Sequence, residues 1–278
     1  MSAKAHHLEI GPDDITGNDG LGRYVFLPGS TARAAHLAER FGDPRTASNR
    51  RRLDVQLGTL ERGGMSVAVA AVPTGMGCPS VDIIVGELLQ LGARRFVRVG
   101  TAGTLQKQIR AGDLVIASGA VRDEGTSDAY SPREFPAVAD PVMTEVLCAA
   151  ARRIGLGERT HCGVVHSKDS FFGREFAAGP DAERNRAYME LLTRNRVLAS
   201  EMEAAHLFVL GAVANAGRTS LAASRTREVG VRCGAVMAVV GDSSGFAALE
   251  VERAAEERLL DLAVEGILDL AALEAAGS

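Results

Sequence analysis

The feature of this sequence that most restricts its fold is the alternation of short apolar runs with amphipathic segments along the whole chain. Apolar or alternating runs of strand length occur at 24–27, 53–60, 65–72, 96–99, 114–117, 161–165 and 234–240. Segments with helical spacing of Ala, Leu and Ile occur at 31–41, 80–91, 141–154, 204–216 and 250–275. Such alternation is typical of α/β proteins, in which helices cover both faces of a sheet. We therefore expect a single α/β domain over residues 1–278.

Local patterns make this expectation more specific. The helix at 80–91 is predicted to place Ile83, Ile84, Leu88 and Leu91 on its buried face. The runs 96–99 and 114–117 predict short buried strands separated by glycine-rich turns. Two stretches, 127–140 and 217–232, lack either period and are expected to be irregular. The second is polar and contains four arginines, which suggests an exposed excursion.

Composition excludes several classes of protein. With 278 residues and 46% hydrophobic content, the chain can bury a sizeable core. A net charge of -4 without a basic stripe argues against nucleic-acid binding. No stretch is apolar enough for a membrane span, and the N-terminal residues lack the apolar region of a secretory signal. A cytoplasmic protein is therefore expected.

The cysteines and histidines suggest no metal site or disulfide framework. Cys78, Cys148, Cys162 and Cys233 are widely spaced and form no C-x-x-C pair, which is typical of buried thiols in a reducing compartment. The six histidines are scattered apart from the adjacent pair His6 and His7. We expect no metal and no cofactor.

Two glycine-containing segments predict anion binding. In the first, a strand ends at Gly29 and a helix begins, so that backbone N–H groups and Arg33 can face an anion. The alternative is a tight turn with a solvated arginine. In the second, Arg98 stands at the end of an apolar strand before Thr101 and Gly103. A buried arginine requires an anion or a carboxylate, so a structural ion pair is the alternative.

Two acidic segments follow strands further along the chain. Glu201 and Glu203 flank Met202 where a strand meets a helix, an arrangement suited to sugar hydroxyls and to the apolar face of a ribose. Carboxylates that merely stabilise a helix N-terminus are the alternative. Asp242 directly follows the strand at 234–240 and is either a catalytic acid or a residue that caps a turn.

Together and in this order, these segments resemble the nucleoside phosphorylase family, which includes uridine phosphorylase and the hexameric bacterial purine nucleoside phosphorylases. The most specific stretch is Thr74-Gly75-Met76-Gly77-Cys78-Pro79-Ser80, and Arg98 to Gly103 follows with the expected spacing. The run 134–140 and the opening His7-Leu8 resemble the uridine phosphorylase branch. The resemblance covers nearly the whole chain. It implies a three-layer fold with a central mixed sheet flanked by helices, and a homohexamer built from dimers.

The resemblance also implies a role for each matched residue in cleavage of a nucleoside by phosphate. The implied phosphate-binding residues are Gly29, Arg33, Arg50, Arg98 and Thr101. The implied ribose-binding residues are His7, Glu201, Met202 and Glu203, with His7 and Arg50 lent across a dimer interface. Phe171 would stack on the base, with Gly103 and Arg174 beside it. The implied catalytic residues are Arg98, Glu203 and Asp242. The implied enzyme is a pentosyltransferase of nucleoside catabolism and nucleotide salvage whose co-substrate is inorganic phosphate.

The sequence departs from uridine phosphorylases at the base. Their Gln-x-Arg pair after the stacking ring is replaced by Gly173-Arg174-Glu175-Phe176, where Arg174 is a candidate substitute. Asp242 stands where purine enzymes of the family keep a general acid. A purine nucleoside phosphorylase is therefore one alternative. A nucleosidase that uses water, and a nucleoside-binding protein without activity, are the others.

Overall fold

The structure is a computed structural model that describes residues 4–216, 230–242 and 245–276. Its strands are β1 (Tyr24–Pro28), β2 (Gly42–Ala47), β3 (Val55–Arg62), β4 (Met65–Ala71), β5 (Arg95–Thr104), β6 (Leu114–Asp123), β7 (Ala137–Val138), β8 (Thr160–Lys168), β9 (Ala199–Glu201), β10 (Arg232–Asp242) and β11 (Gly245–Phe246). Its α-helices are α1 (Pro12–Ile15), α2 (Thr31–Ala38), α3 (Cys78–Gln90), α4 (Pro141–Arg153), α5 (Ala182–Arg194), α6 (Ala204–Ala214) and α7 (Leu249–Ala276).

The described strands form one mixed sheet. Their hydrogen-bonded order is β11-β10-β6-β8-β9-β5-β1-β4-β3-β2, and β7 pairs with β6. β10 also pairs with β5, which closes β10, β6, β8, β9 and β5 into a ring. β1 is parallel to β4 and β5, whereas β3 and β4 are antiparallel. The α/β prediction and the mixed sheet implied by the resemblance are confirmed.

Helices cover both faces of this sheet, as expected for three layers. One buried cluster joins the sheet to α3 and α6, and a second joins it to α2, α4 and α7.

The ends of the helices follow from local chemistry. The Asp140 side chain accepts a hydrogen bond from Met143 N at 2.9 Å at the start of α4, and Gly155, with φ of 78°, follows its end. In the described residues, no helix has both the length and the apolar character that a membrane crossing requires.

The last turn of α7 is fixed to the sheet by a buried ionic cluster. The Glu274 carboxylate accepts hydrogen bonds from Arg95 Nε at 2.8 Å and from Arg232 Nε at 3.2 Å. The Tyr24 hydroxyl donates to the same carboxylate, and Asp140 accepts from Arg232 Nη1 at 3.0 Å. Both arginines are fully buried at the start of β5 and β10, so each requires these carboxylates.

Several local predictions need correction. The strands at 96–99 and 114–117 are much longer than expected, and Gly100 and Gly103 lie within β5 rather than in a turn. They remain extended because they pair with Met237 and Gly241 of β10. In α3 the prediction for Ile83 was wrong, since this side chain is 43% exposed while Ile84 and Leu88 are buried.

Some elements escaped the sequence analysis. The helix α5 was not predicted because most of its residues are polar and Leu192 is its one buried residue. The strands β2 and β9 and a helical turn at Phe171–Glu175 were also missed. The stretch 127–140 is mostly irregular, as expected, although it contains β7. Of the exposed excursion predicted at 217–232, residues 217–229 lie outside the described residues, and the prediction is wrong for residues 230–232, which are buried and include the first residue of β10.

Candidate active site

A cavity of about 750 Å³ opens where β1, β5, β9 and β10 end. Carboxyl ends of parallel strands are the usual place for a ligand in such sheets. Ten of the residues predicted to bind the substrates or to act in catalysis line this cavity. They are Gly29, Arg33, Arg98, Thr101, Gly103, Phe171, Glu201, Met202, Glu203 and Asp242.

Arg98 lies at the centre of the cavity wall and is 5% exposed. Its Nε donates to Glu201 Oε2 at 3.0 Å, and its Nη2 donates to Glu203. Its Nη1 is buried and has no hydrogen-bond partner among the residues that the structure describes. A buried guanidinium nitrogen without an acceptor is costly, which makes this atom a candidate anion contact.

Glu201 holds the start of α6 and Arg98 together. Its carboxylate accepts hydrogen bonds from Glu203 N at 2.8 Å and from Ala204 N at 3.0 Å. The Ser167 hydroxyl donates to it as well. The oxygens of Glu201 are thus engaged within the protein, and its predicted contact with the ribose stays a prediction.

Glu203 lines the cavity as the residue directly before α6. Its Oε1 accepts a hydrogen bond from Gly77 N at 2.6 Å, which links Glu203 to the family-specific stretch 74–80 at the start of α3. Burial raises the pKa of the Glu203 carboxyl above its ordinary value, the Arg98 charge opposes this, and the Glu201 charge adds to it. Met202 lies between the two carboxylates, and its carbonyl accepts from Cys78 Sγ at 3.2 Å.

The opposite wall is formed by the turn between β1 and α2. Gly29 precedes Ser30, whose hydroxyl accepts from Arg33 N at 3.2 Å and caps the helix. Arg33 lies in the first turn, and its Nε donates to Glu256 Oε2 at 3.1 Å. N–H groups at a helix start and a nearby guanidinium suit an anion, although Glu256 offsets the charge of Arg33.

Aromatic rings line the far end of the cavity. Phe171 is stacked on Phe246 with ring centroids 6.4 Å apart and planes inclined by 21°, and it makes an edge contact with Phe176. Flat apolar rings of this kind bind a nucleobase by stacking. Asp242, the last residue of β10, lines the same end.

Two charged residues of this end were missed by the sequence analysis. Lys168 ends β8 and is 2% exposed, with its Nζ 2.9 Å from Glu175 Oε2 and 2.7 Å from Ser200 Oγ. Its Nζ lies 5.7 Å from the centroid of the Phe171 ring. The available signal was a lysine three residues after the strand predicted at 161–165 and three residues before Phe171.

Arg174 does not line this cavity. Its Nε and Nη2 donate to the two Asp123 oxygens at 2.6 and 2.9 Å, and its guanidinium lies 4.4 Å from the centroid of the Tyr188 ring. This pairing turns Arg174 into a neighbouring cavity of about 900 Å³. The structure therefore separates Arg174 from Phe171, the ring beside which it was expected.

His7 and Arg50 also lie outside the cavity. The His7 Nδ1 atom is 2.7 Å from Glu87 Oε1 of α3. Arg50 is 67% exposed and pairs with Glu9 at 2.7 Å. Neither residue reaches the cavity of its own chain, and the prediction that a partner subunit receives them stays a prediction.

Within the described residues, no three His, Cys, Asp or Glu side chains are grouped to hold a metal ion.

Comparison with known proteins gives a consistent result. The model of the phosphorylase superfamily matches residues 23–268. The uridine phosphorylase of Treponema pallidum is 39% identical over 241 residues, which span 86% of this chain and 83% of that protein. The guanosine phosphorylase of Halorubrum lacusprofundi is 30% identical over 241 residues, 86% of this chain and 84% of its own length.

Among solved structures, a uridine phosphorylase from Vibrio fischeri complexed with 6-hydroxy-1-naphthoic acid has the same fold. It superimposes with a TM-score of 0.75 at 23% identity, and the match covers 96% of this chain and 97% of that one.

Proposed function

This chain belongs to the phosphorylase superfamily and is a phosphate-dependent nucleoside phosphorylase, a pentosyltransferase, and we propose that it acts on uridine-type nucleosides in the cavity between Arg98 and Phe171. In this reaction a phosphate oxygen forms a bond to C1′ of the sugar while the glycosidic bond breaks. The electron pair of that bond passes to the base nitrogen, which takes up a proton. The products are the free base and pentose 1-phosphate.

The observation that carries this proposal is the buried Nη1 atom of Arg98. Two carboxylates hold the rest of the guanidinium, so this atom alone is left without an acceptor in the described part of the cavity wall. Phosphate placed there also meets Arg33, Thr101 and the start of α2 after Gly29. An anion fixed beneath the sugar is at once the nucleophile and the counter-charge to the positive charge that develops at C1′.

Sugar and base then follow the long axis of the cavity. Glu203 accepts hydrogen bonds from ribose hydroxyls, and Met202 contacts the apolar face of the ring. Phe171 stacks on the base. Burial favours a proton on the Glu203 carboxyl, and the positive charge of Arg98 opposes this. A phosphate bound next to Arg98 offsets part of that charge and so alters the charge that the Glu203 carboxyl experiences. Inorganic phosphate is the co-substrate, with no cofactor or metal, and the enzyme acts in nucleoside catabolism and salvage in the cytoplasm.

A second subunit completes the site in this proposal. His7 pairs with Glu87, and Arg50 pairs with Glu9, two residues after His7 in the chain; neither residue lines the cavity. A symmetric dimer brings the same region of each chain to its partner, so that each lends both residues to the other's cavity. Three such dimers form the proposed homohexamer.

Cleavage of purine nucleosides is the second candidate, and the position of Asp242 favours it. This residue ends β10 at the rim of the cavity, near the aromatic rings. A protonated carboxyl at that place donates a proton to a purine ring nitrogen as the base leaves. The similarity to a guanosine phosphorylase supports the same candidate.

The direct test is base release by the purified enzyme from uridine, thymidine, inosine and adenosine, each with and without phosphate. We expect phosphate-dependent release of uracil. Release of hypoxanthine in preference to uracil would favour the purine candidate. Release without phosphate indicates a nucleosidase, and no release from any of the four contradicts the proposed substrates.

A variant pair tests the anion site. Replacement of Arg98→Met is expected to lower the phosphate-dependent rate by at least about a hundredfold, the usual effect of removing a group that stabilises developing charge. The control is Arg110→Met, because Arg110 is exposed and does not line the cavity that contains Arg98. Circular dichroism of both variants establishes that the fold is retained.

A further inference from the structure

The base end of the cavity contains an ion pair that no role in phosphate or ribose binding explains. Lys168 Nζ and Glu175 Oε2 are 2.9 Å apart, with side chains 2% and 19% exposed. Both residues line the cavity together with Phe171 and Gly103. A lysine and a glutamate side by side offer a hydrogen-bond donor next to an acceptor, and together they carry no net charge.

The backbone brings these two residues together. Lys168 is the last residue of β8, and the helical turn at Phe171–Glu175 returns the chain to it seven residues later. The Ser170 hydroxyl accepts from Gly173 N at 3.2 Å and starts this turn. Glu175 then lies against Gly103 of β5, where a Cβ atom would be 3.0 Å from Glu175 Oε1. The absent side chain of Gly103 thus leaves room for this carboxylate.

Hydrogen-bonding capacity is left over on both partners. The Lys168 ammonium has three N–H groups, of which one donates to Ser200 Oγ at 2.7 Å, and its Nζ lies 2.9 Å from Glu175 Oε2. Glu175 Oε2 is buried, and although it is an ion-pair partner it receives no aligned hydrogen bond from the described residues. A ligand with a donor beside an acceptor satisfies both groups.

We propose that Lys168 and Glu175 read the lactam edge of the base, with Lys168 donating to a ring carbonyl oxygen and Glu175 accepting from the adjacent ring N–H. Uracil, thymine, hypoxanthine and guanine present this edge. Cytosine and adenine carry an amino group in place of the carbonyl oxygen and a ring nitrogen without hydrogen in place of the ring N–H. Lys168 then meets an amino donor, and Glu175 meets an acceptor. The substrates are therefore lactam-type nucleosides, pyrimidine or purine, and this assignment rests on the proposed function.

This arrangement accounts for the lost Gln-x-Arg pair and for the position of Arg174. Asp123 holds Arg174 in the neighbouring cavity, so the donor to the base comes from Lys168 instead. Rejection of the wrong base is strong in such sites, because a buried lysine or carboxylate facing the wrong partner loses its hydrogen bond.

The test measures binding in the absence of phosphate, so that it does not depend on pentosyl transfer. Calorimetry compares uridine with 3-methyluridine and cytidine, and inosine with adenosine. 3-Methyluridine keeps both carbonyl oxygens, but a methyl group replaces the N3 hydrogen, so this base cannot donate to Glu175 and adds bulk beside it. We expect uridine to bind at least about tenfold more tightly than 3-methyluridine or cytidine, and inosine more tightly than adenosine.

Variants locate the effect. Glu175→Gln presents an amide N–H as well as an oxygen, and it is expected to reduce the preference for uridine over cytidine at least about tenfold. Lys168→Met is expected to weaken uridine binding. The control Glu190→Gln changes a surface glutamate of α5 that pairs with Arg194 at 3.4 Å, and it is expected to leave the preference unchanged.

The outcomes separate this inference from the proposed function. Equal binding of uridine and 3-methyluridine, an unchanged preference in a folded Glu175→Gln variant, or no binding of any of these nucleosides overturns the inference. If the binding preferences are observed but no base is released with phosphate, the proposed function fails, whereas the role of Lys168 and Glu175 in base recognition is retained. If phosphate-dependent release shows no preference for lactam bases, the inference fails alone.

Discussion

The guanidinium of Arg98 lies directly over the backbone of Gly100, two residues further along β5. A Cβ atom on residue 100 would be 2.8 Å from Arg98 Nη2 and 2.9 Å from Cζ. Alternate residues of a strand point to the same face, so any side chain at position 100 competes with Arg98 for one space. The glycine is thus a steric condition for the arginine to reach Glu201 and Glu203.

Replacement of Gly100→Ala is therefore expected to displace Arg98 and to raise the KM for phosphate at least about tenfold, because misplacement of a binding group by a fraction of an ångström weakens its contacts. Steady-state kinetics with varied phosphate measures the effect. The control is Gly86→Ala in α3, where a Cβ atom meets open space. An unchanged KM in Gly100→Ala would show that Arg98 does not bind phosphate.

Complementation between inactive variants tests the shared site. Arg98→Met inactivates a chain's own cavity, whereas Arg50→Ala removes the residue proposed to serve the partner. In a mixed dimer one cavity has both residues intact, so equal mixing with free exchange is expected to restore activity at about a quarter of the sites. The assay is phosphate-dependent base release after the two proteins are refolded together. No recovery, despite mass-spectrometric detection of mixed dimers, contradicts the exchange of Arg50.

Substitution of Arg174→Met distinguishes a structural arginine from one that reads the base. Because Arg174 donates two hydrogen bonds to Asp123, its loss is expected to lower the free energy of unfolding by about 1–3 kcal/mol. The KM for uridine is expected to change little. Urea unfolding and kinetics measure the two quantities, with the exposed Arg184→Met as control. A large rise in KM without loss of stability would restore Arg174 as a base contact.

The contact of His36 with α7 makes stability depend on pH. The hydrogen bond to Glu256 raises the pKa of His36 above 6.5, and the nearby Glu257 charge adds to this while burial opposes it. A raised folded-state pKa means that the contact stabilises the protein fully below about pH 6.5 and is lost as pH rises through the folded value.

The variant His36→Gln is accordingly expected to be less stable than the wild type at about pH 5.5, by less than about 1 kcal/mol because the pair is partly exposed. The difference should shrink as pH rises above 6.5. Urea unfolding at several pH values measures it. A difference that stays constant with pH would assign the effect to packing rather than to charge.

Removal of the Glu274 carboxylate is expected to be much more costly than removal of a surface partner on the same helix. Glu274→Ala leaves Arg95 and Arg232 buried with less compensating charge, which costs about 3–5 kcal/mol in comparable pairs. Glu257→Ala removes an exposed partner of Arg40 and should cost less than about 1 kcal/mol. Comparable losses in the two variants would mean that the buried cluster does not hold α7 to the sheet.

Sequence reasoning predicted the parts of this fold that depend on local chemistry. Hydrophobic period, N-caps and glycine turns act over a few residues, so the α/β class and the positions of α2, α4, α6 and α7 followed from the chain. It failed where pairing across the sheet decides. Gly100 and Gly103 are favoured in turns by local preference, yet both are strand residues because β10 pairs with them. The helix α5, with one buried side chain, is too polar for its sequence to reveal a buried face.

For the candidate site, too, some features followed from the sequence and others depended on the tertiary structure. The sequence by itself determined which residue types are present, namely the glycine turn before Arg33, Arg98 within an apolar strand, and Glu201 to Glu203 before a helix. Only the tertiary structure decided what each one faces, because the pairing of β9 with β8 and with β5 joins residues about 35 to 100 positions apart along the chain. It assigned Glu201 to Arg98 and α6, removed Arg174 from the base, and placed Lys168 beside Glu175. Electrostatic partners of a buried charge depend on distance in space, and the linear order of residues does not contain that distance.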